Sequence, residues 1–240
     1  MRKLHAETAL LPEGWKSDVE VTVGADGRIE SVTHGVVRDP GAESVAILIP
    51  ALANVHSHAF QRALAGLTER RGPGQDDFWS WREVMFVFLQ RLGPEEIEAV
   101  AAMLYVELME SGFASVAEFH YVHNAPDGSR YANLAETGER ITAAAHAVGI
   151  GLTHLPVYYA QGDFGGARPG DGQRRFLNDP DSFARILDSM PKYLTRADDH
   201  LGIAPHSLRA VTTSDLHAVL ANDPGGPIHI LIAEQTKEVD

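Results

Sequence analysis

The chain has no cysteine. Disulfides, thiolate-held zinc and a thiol nucleophile are thereby excluded, and any transition metal must be held by His, Asp or Glu. Positive charge is also scarce: 20 Lys and Arg stand against 33 Asp and Glu, a formal net charge of −13. Binding nucleic acid needs cations clustered against phosphate, so no nucleic-acid partner is expected. Long apolar runs are missing. None reaches the ~18 residues that cross a bilayer, and the opening "MRKLHAETALLPEGW" lacks the apolar core of a signal peptide. No membrane partner is expected, and the lack of cysteine agrees with a cytoplasmic location. Internal repeats and low-complexity tracts are absent. So is a Gly-rich phosphate loop after the first strong strand, which argues against a dinucleotide-binding fold.

What is present is an ordinary globular composition, 240 residues of which 44% are hydrophobic and 22% charged. The segment "DVEVTVGADGRIESVTHG" alternates apolar and polar residues on either side of Ala25-Asp26-Gly27, a hairpin pattern. From "AILIP" onward, short apolar strands alternate with helical segments. Pro94 to Ser111 has proline in its first turn, acids behind it and Gly112 just past its end, which predicts a helix. Further strands are expected at 114–119, 151–158, 201–206 and 227–233. Further helices are expected in "YANLAETGERITAAAHAV", from Pro180 to Arg196, and in "TTSDLHAVLAN".

Regular β-α alternation implies a parallel sheet covered by helices. Polar residues gather after successive strands: His56 and His58, then Glu118 and His120, then His206, then Glu234. The functional face of a (β/α)8 barrel is populated in this way. The fold class is therefore read as α/β, a TIM-type barrel left incomplete at about five β/α units. Five parallel strands leave an unpaired apolar edge, so the chain is expected to be a fragment or to depend on other chains.

The stretch "NVHSHAFQR" supplies the first chemistry. On an extended segment residues i and i+2 point to one side, so His56 and His58 can reach one ion. A bare His-x-His is weak by itself; its place after the strand that opens the β/α series strengthens it. Near the end of the chain, "IHILIAEQ" puts Glu234 just past the last strand, where a carboxylate can serve as general acid and base. The competing reading is an acid at the start of a solvated helix. The aromatic group Phe78, Trp79 and Trp81 is read as loop packing, and His120 and His123 are not counted as ligands.

The motifs "NVHSHAFQRALAGLTERR", "DDFWSWREVMF", "AEFHYVHN", "APHSLRAV" and "IAEQTKEVD" resemble formimidoylglutamate deiminases of the amidohydrolase superfamily, from about residue 3 to the last residue. The resemblance implies a partial β-sandwich at 1–47 and the N-terminal portion of a metal-dependent barrel at 48–240. It implies zinc as cofactor, with His56 and His58 as ligands. Gln61 matches a residue at the formimino end of N-formimino-L-glutamate. Tyr121, His206 and Arg209 match residues that grip the glutamate part, and Arg82 is a further carboxylate-binding candidate. Glu234 matches the proton shuttle. Zinc-activated water would add to the formimino carbon, Glu234 would carry the proton to nitrogen, and ammonia would leave N-formyl-L-glutamate. A cytoplasmic homodimer acting in histidine degradation is also implied.

One position departs from the family pattern. Where the family carries a zinc histidine three residues before the shuttle glutamate, this chain has Leu231. Leucine has no lone pair to donate, so the shell should be weakened. Two readings stand beside the first. One is another amidohydrolase, such as an aromatic deaminase or a chlorohydrolase. The other is a metal-poor, non-catalytic chain. Gln61, Tyr121 and the His206/Arg209 pair oppose the former, because a neutral heterocycle needs no carboxylate clamp.

Overall fold

The computed structural model describes residues 1–69, 74, 77–234 and 236–239. Arg70, Arg71, Asp76, Gln235 and Asp240, parts of the motifs quoted above, lie outside the described residues. The chain divides into two units, Met1–Leu52 and Ala53–Asp240.

The first unit is a four-stranded sheet in the order β3-β2-β1-β4, from β1 (Arg2–Leu11), β2 (Gly14–Val23), β3 (Ile29–Thr33) and β4 (Glu43–Leu48). β1 and β2 pair antiparallel, as do β2 and β3, whereas β4 runs parallel to β1. The Ala25-Asp26-Gly27 turn joins β2 to β3, as the alternating pattern predicts. Ala6, Ala9, Val19 and Val21 form a small core on one face. Among the described residues of this unit there is one sheet, a single layer of the expected sandwich.

The second unit is built on a parallel sheet in the order β5-β6-β7-β8, from β5 (Leu52–Ser57), β6 (Phe113–His120), β7 (Gly151–Tyr158) and β8 (His200–Leu201). A further short strand, β9 (Ala204–Pro205), continues the line of β8 and pairs with the end of β7. β6 and β7 pair in parallel from Ser115↔Gly151 to His120↔Pro156. Their apolar residues are buried on both sides, Val116, Phe119, Leu152, Leu155 and Val157 among them. The sheet is open among the described residues, which agrees with an incomplete barrel. The expected strand at 227–233 forms only two parallel bridges, Ile203↔Ile228 and Ser207↔Leu231. Its composition suits a strand, but a strand needs a partner on its second edge to be fixed along its length, and none is present among the described residues.

The helices are α1 (Phe78–Leu89), α2 (Pro94–Glu110), α3 (Glu136–Val148), α4 (Pro180–Ser189) and α5 (Thr213–Leu220). α1 was not anticipated. Asp77 starts it, accepting the backbone N–H of Trp79 and of Ser80 at 2.9 Å each. In α2, Glu96 accepts the N–H of Gly93 at 2.9 Å, and Ile97, Ala101 and Tyr105 form the buried stripe at helical spacing. α3 ends at Gly149, whose φ of 90° is the left-handed conformation that closes a helix. α4 is shorter than expected, giving way at Met190 to a tight turn. A close backbone approach fixes the last segment: a Cβ on Gly202 would strike the carbonyl of Pro227, and one on Gly226 would strike that of Leu201. Among the described residues no helix is long and apolar enough to cross a membrane.

Candidate active site

The C-terminal ends of the strands in the second unit converge on one cleft. Its walls include His58, Gln61, Tyr121, His206, Arg209, Leu231, Glu234 and Arg82. All but Leu231 are residues singled out from the sequence as catalytic, metal-binding or substrate-binding. His56 is joined to the cleft through His58.

The histidine end is built from the backbone outward. β5 ends at Ser57, and a tight helical turn, Ala59–Leu64, follows at once. His56 Nε2 and His58 Nε2 face each other at 3.1 Å. His58 Nδ1 lies 3.0 Å from the carbonyl of Phe119. A carbonyl only accepts, so Nδ1 carries the proton and Nε2 presents its lone pair. His56 Nε2–H then donates to it. Burial, aided by His56, holds His58 down to about 4, the Phe119 bond opposing. His56 is also held below its ordinary range, first by burial and then by His229.

Behind the turn sits Glu118, fully buried at the end of β6. Its Oε1 accepts the N–H of Ala59 at 2.6 Å, its Oε2 accepts the Tyr105 hydroxyl at 3.2 Å, and the Ser57 side chain bonds it as well. Burial lifts this carboxyl to about 7, against those three bonds. Glu118 is a positioning residue: it fixes the corner on which His56 and His58 stand. The sequence marked it only as a polar strand end. Arg62 takes no part in the cleft and pairs with Glu107 of α2 at 2.6 Å.

Across the cleft, Gln61 Nε2 donates to the Tyr121 hydroxyl at 2.8 Å. Tyr121 is buried among the rings of Phe60, Phe176, His58 and His206, and burial raises its phenol well above its ordinary range. His206 follows β9, its N–H bonded to the Tyr158 carbonyl at 3.0 Å and its Nδ1 3.0 Å from Ser207 Oγ. Burial, Arg209 and His58 keep its imidazole neutral, well below the usual range. Arg209 is 4% exposed and donates from Nη2 to Glu234 Oε2 at 2.6 Å. Its Nε and Nη1, and the Nε of Arg82, are buried without a hydrogen-bond partner among the described residues. The Arg82 guanidinium lies 4.4 Å from the Trp79 ring centre and 5.3 Å from that of Phe86.

Two expectations change. Phe78 and Trp81 belong to a helix rather than a loop, and both line the cleft. Tyr159 and Phe176 were missed. Tyr159 directly follows β7, packs 4.6 Å from the His206 ring and accepts a bond from Gln173 at 2.6 Å. Its place after a strand end was the available signal. His120 and His123 bond Thr137 and the Val157 carbonyl, 2.9 Å each, and do not line the cleft.

The donor set does not complete a metal shell. A catalytic zinc takes three protein ligands, and the described residues contain no group of three His, Cys, Asp or Glu gathered to hold an ion. His56 and His58 converge as two donors should. Leu231, held against the site by its N–H bond to the His206 carbonyl at 2.9 Å, brings hydrocarbon to the wall.

The sheet carries polar residues at successive strand ends, and comparisons with known proteins place this arrangement in a family. Residues 47–240 match the family described as "Amidohydrolase family", and the chain belongs to it. Residues 1–46 match "Formimidoylglutamate deiminase HutF, N-terminal domain". The chain is 46% identical over 241 residues to the formimidoylglutamate deiminase of Pseudomonas aeruginosa, covering 100% of this chain and 53% of that protein. The crystal structure of an amidohydrolase from Brucella melitensis superposes with a TM-score of 0.94 at 50% identity, over 100% of this chain and 53% of its own. Atrazine chlorohydrolase from Arthrobacter aurescens TC1, complexed with zinc, gives a TM-score of 0.73 at 14% identity over 96% of this chain and 52% of its own, a likeness of fold alone. The chain thus spans about half the length of the relatives it matches.

Proposed function

We propose that the protein is an iminohydrolase that converts N-formimino-L-glutamate and water to N-formyl-L-glutamate and ammonia. One observation carries the reading. A single cleft offers buried guanidinium nitrogens of Arg82 and Arg209 without hydrogen-bond partners among the described residues, beside His206, Tyr121 and Gln61, with the Glu234 carboxylate at its edge. In a chain of net charge −13, such a concentration of cationic donors suits a ligand with carboxylates. The name of the 46% identical relative supports the same substrate.

In this reading Arg209 and His206 bind the glutamate carboxylates, with Arg82 as a further donor, and Tyr121 shapes the wall between them. Gln61 orients the formimino group. Glu234 accepts a proton from water as it adds to the formimino carbon and returns it to the departing nitrogen. Zinc is the proposed cofactor, because a fold neighbour is complexed with it. His56 and His58 are its donors here, and zinc would supply activation of the water. With Leu231 present, the described residues offer two donors only. The proposal includes a division into 1–47 and 48–240, a cytoplasmic location, a homodimer and a role in histidine degradation.

The test is ammonia release from N-formimino-L-glutamate, using the chain extended to the length of its relatives and carrying Leu231→His, after loading with zinc. Turnover is expected. Its absence, or faster turnover of adenosine or a chlorotriazine, rejects the reading.

A further inference from the structure

Tyr159 stands in the cleft wall with a partner that fixes how its hydroxyl can act. Gln173, in the tight helical turn Asp171–Gln173 of the segment that follows β7, is 4% exposed. Its Oε1 accepts the N–H of Gly170 at 2.9 Å, and its Nε2 donates to the Gly162 carbonyl at 3.3 Å. A backbone N–H needs an oxygen and a carbonyl needs an N–H, so these two contacts fix the amide one way round. Nε2 then gives its second proton to the Tyr159 hydroxyl at 2.6 Å, and the Tyr159 oxygen is the acceptor. The phenol's own proton has no acceptor among the described residues. The Tyr121 hydroxyl, which accepts from Gln61 in the same way, at least reaches the Met85 sulfur at 3.9 Å. Burial raises the Tyr159 phenol above its ordinary range, with Gln173, Arg209 and Arg82 opposing, so the proton is present at neutral pH. The turn is seated firmly: a Cβ on Gly172 would strike the ring of Phe86, on the same helix, α1, that carries Arg82.

We propose that Tyr159 is a specificity-determining residue whose hydroxyl donates to a carboxylate of the ligand, and that Gln173 is the positioning residue that keeps this proton free for it. The guanidinium groups of Arg82 and Arg209 are donors only and cannot take the proton. A ligand carboxylate can, and its charge makes the bond short and strong. A neutral amide in the same place gains a weaker bond, so Tyr159 adds to the preference for an anion. This inference rests on the carboxylate-directed reading above and adds Tyr159 to the residues that hold the ligand.

Equilibrium binding tests it without turnover. Glutarate is the probe, titrated calorimetrically into the chain as it stands, and thermal melts confirm that each variant is folded. Tyr159→Phe keeps the ring against His206 and removes the proton. It should weaken glutarate binding about ten-fold, the share of one hydrogen bond to a charged group. Gln173→Glu keeps an acceptor for Gly170 and puts a second acceptor where Nε2 stood. The phenol proton then turns to it and away from the ligand, and the loss should again be about ten-fold. In the Tyr159→Phe background there is no proton to redirect, so Gln173→Glu should change affinity about two-fold at most. A loss of equal size in both backgrounds would mean a structural or simple charge effect and would overturn the role of Gln173. Unchanged affinity in Tyr159→Phe would overturn the inference as a whole. If Arg209→Met then loses affinity, the carboxylate reading still stands; if the parent does not bind glutarate, both fall.

Discussion

At the histidine end of the cleft the side chains are held from behind. Glu118 fixes the Ala59 corner, and the Phe119 carbonyl sets the tautomer of His58. At the guanidinium end the side chains hold each other, with Arg209 on Glu234 and donors of Arg209 and Arg82 unsatisfied. The first arrangement is one a site needs when geometry must not change during use. The second suits a place where a ligand's own groups will replace the resting contacts. A rigid corner and an exchangeable ion pair thus share one cleft, and each can be perturbed separately.

The largest effect is expected at Leu231. Leu231→His adds a third donor to the His56–His58 pair, and zinc retention should rise on the order of a hundred-fold, one ligand's share of a structural shell worth ~10–16 kcal/mol. Metal content after exhaustive dialysis measures it, and equal content in both forms would refute the assignment of the pair as donors. Next is Glu118→Leu, which leaves the Ala59 N–H and the Tyr105 hydroxyl without their acceptor; about 3 kcal/mol of stability should be lost in urea unfolding. Glu118→Gln, which can still accept from Ala59, should lose about 1 kcal/mol.

Acid should also separate the elements. Burial holds His123 at about 4 and His154 at about 3. An unfolded histidine titrates near 6.5, so between that pH and ~4 the unfolded chain binds more protons. The stability these groups contribute is complete above ~6.5 and falls as the pH drops. Glu118, raised by burial to about 7, works in the opposite sense: as the pH falls from 7 towards ~4.5 the folded chain takes up its proton first and gains stability. Glu118→Gln removes that offset, so its urea midpoint should fall more steeply between pH 7 and 5 than that of the parent. Parallel profiles would show that the carboxyl does not titrate there. The smallest effect is expected from Tyr121→Phe. It deletes the bond from Gln61 and a weak one to the Met85 sulfur, and about 0.5 kcal/mol of stability should go with them by thermal melt.

Much of the site was legible because it obeys local rules. His56 and His58 share a side by strand periodicity, and α2 announces itself through Pro94 and Glu96. His206 and Glu234 stood out at strand ends, Gln61, Tyr121 and Arg209 came from a resemblance, and the structure gathers all five in the cleft. What stayed hidden depends on distant partners. No pattern near Glu118 says that its carboxylate turns inward to meet an N–H 59 residues away. The Arg209–Glu234 pair spans 25 residues and two segments. α1 hid behind its aromatic residues, whose helical preference is weak until Asp77 caps them and the cleft buries them. The segment 227–233 misled in the other direction, because strand-like composition is only half of a strand.

That segment also carries the cleft's far wall, and its position depends on two methyl groups that are missing. Gly202 and Gly226 let the backbones of Leu201 and Pro227 pass almost in contact, and the chain then runs on to Leu231 and Glu234. The pair works like a keyway. An alanine at either position would lift the segment off its seat and carry Glu234 away from Arg209, without altering any residue that faces the ligand. The tuning of this site is therefore written partly in side chains that do not exist, at positions where a search for reactive groups would find nothing to read.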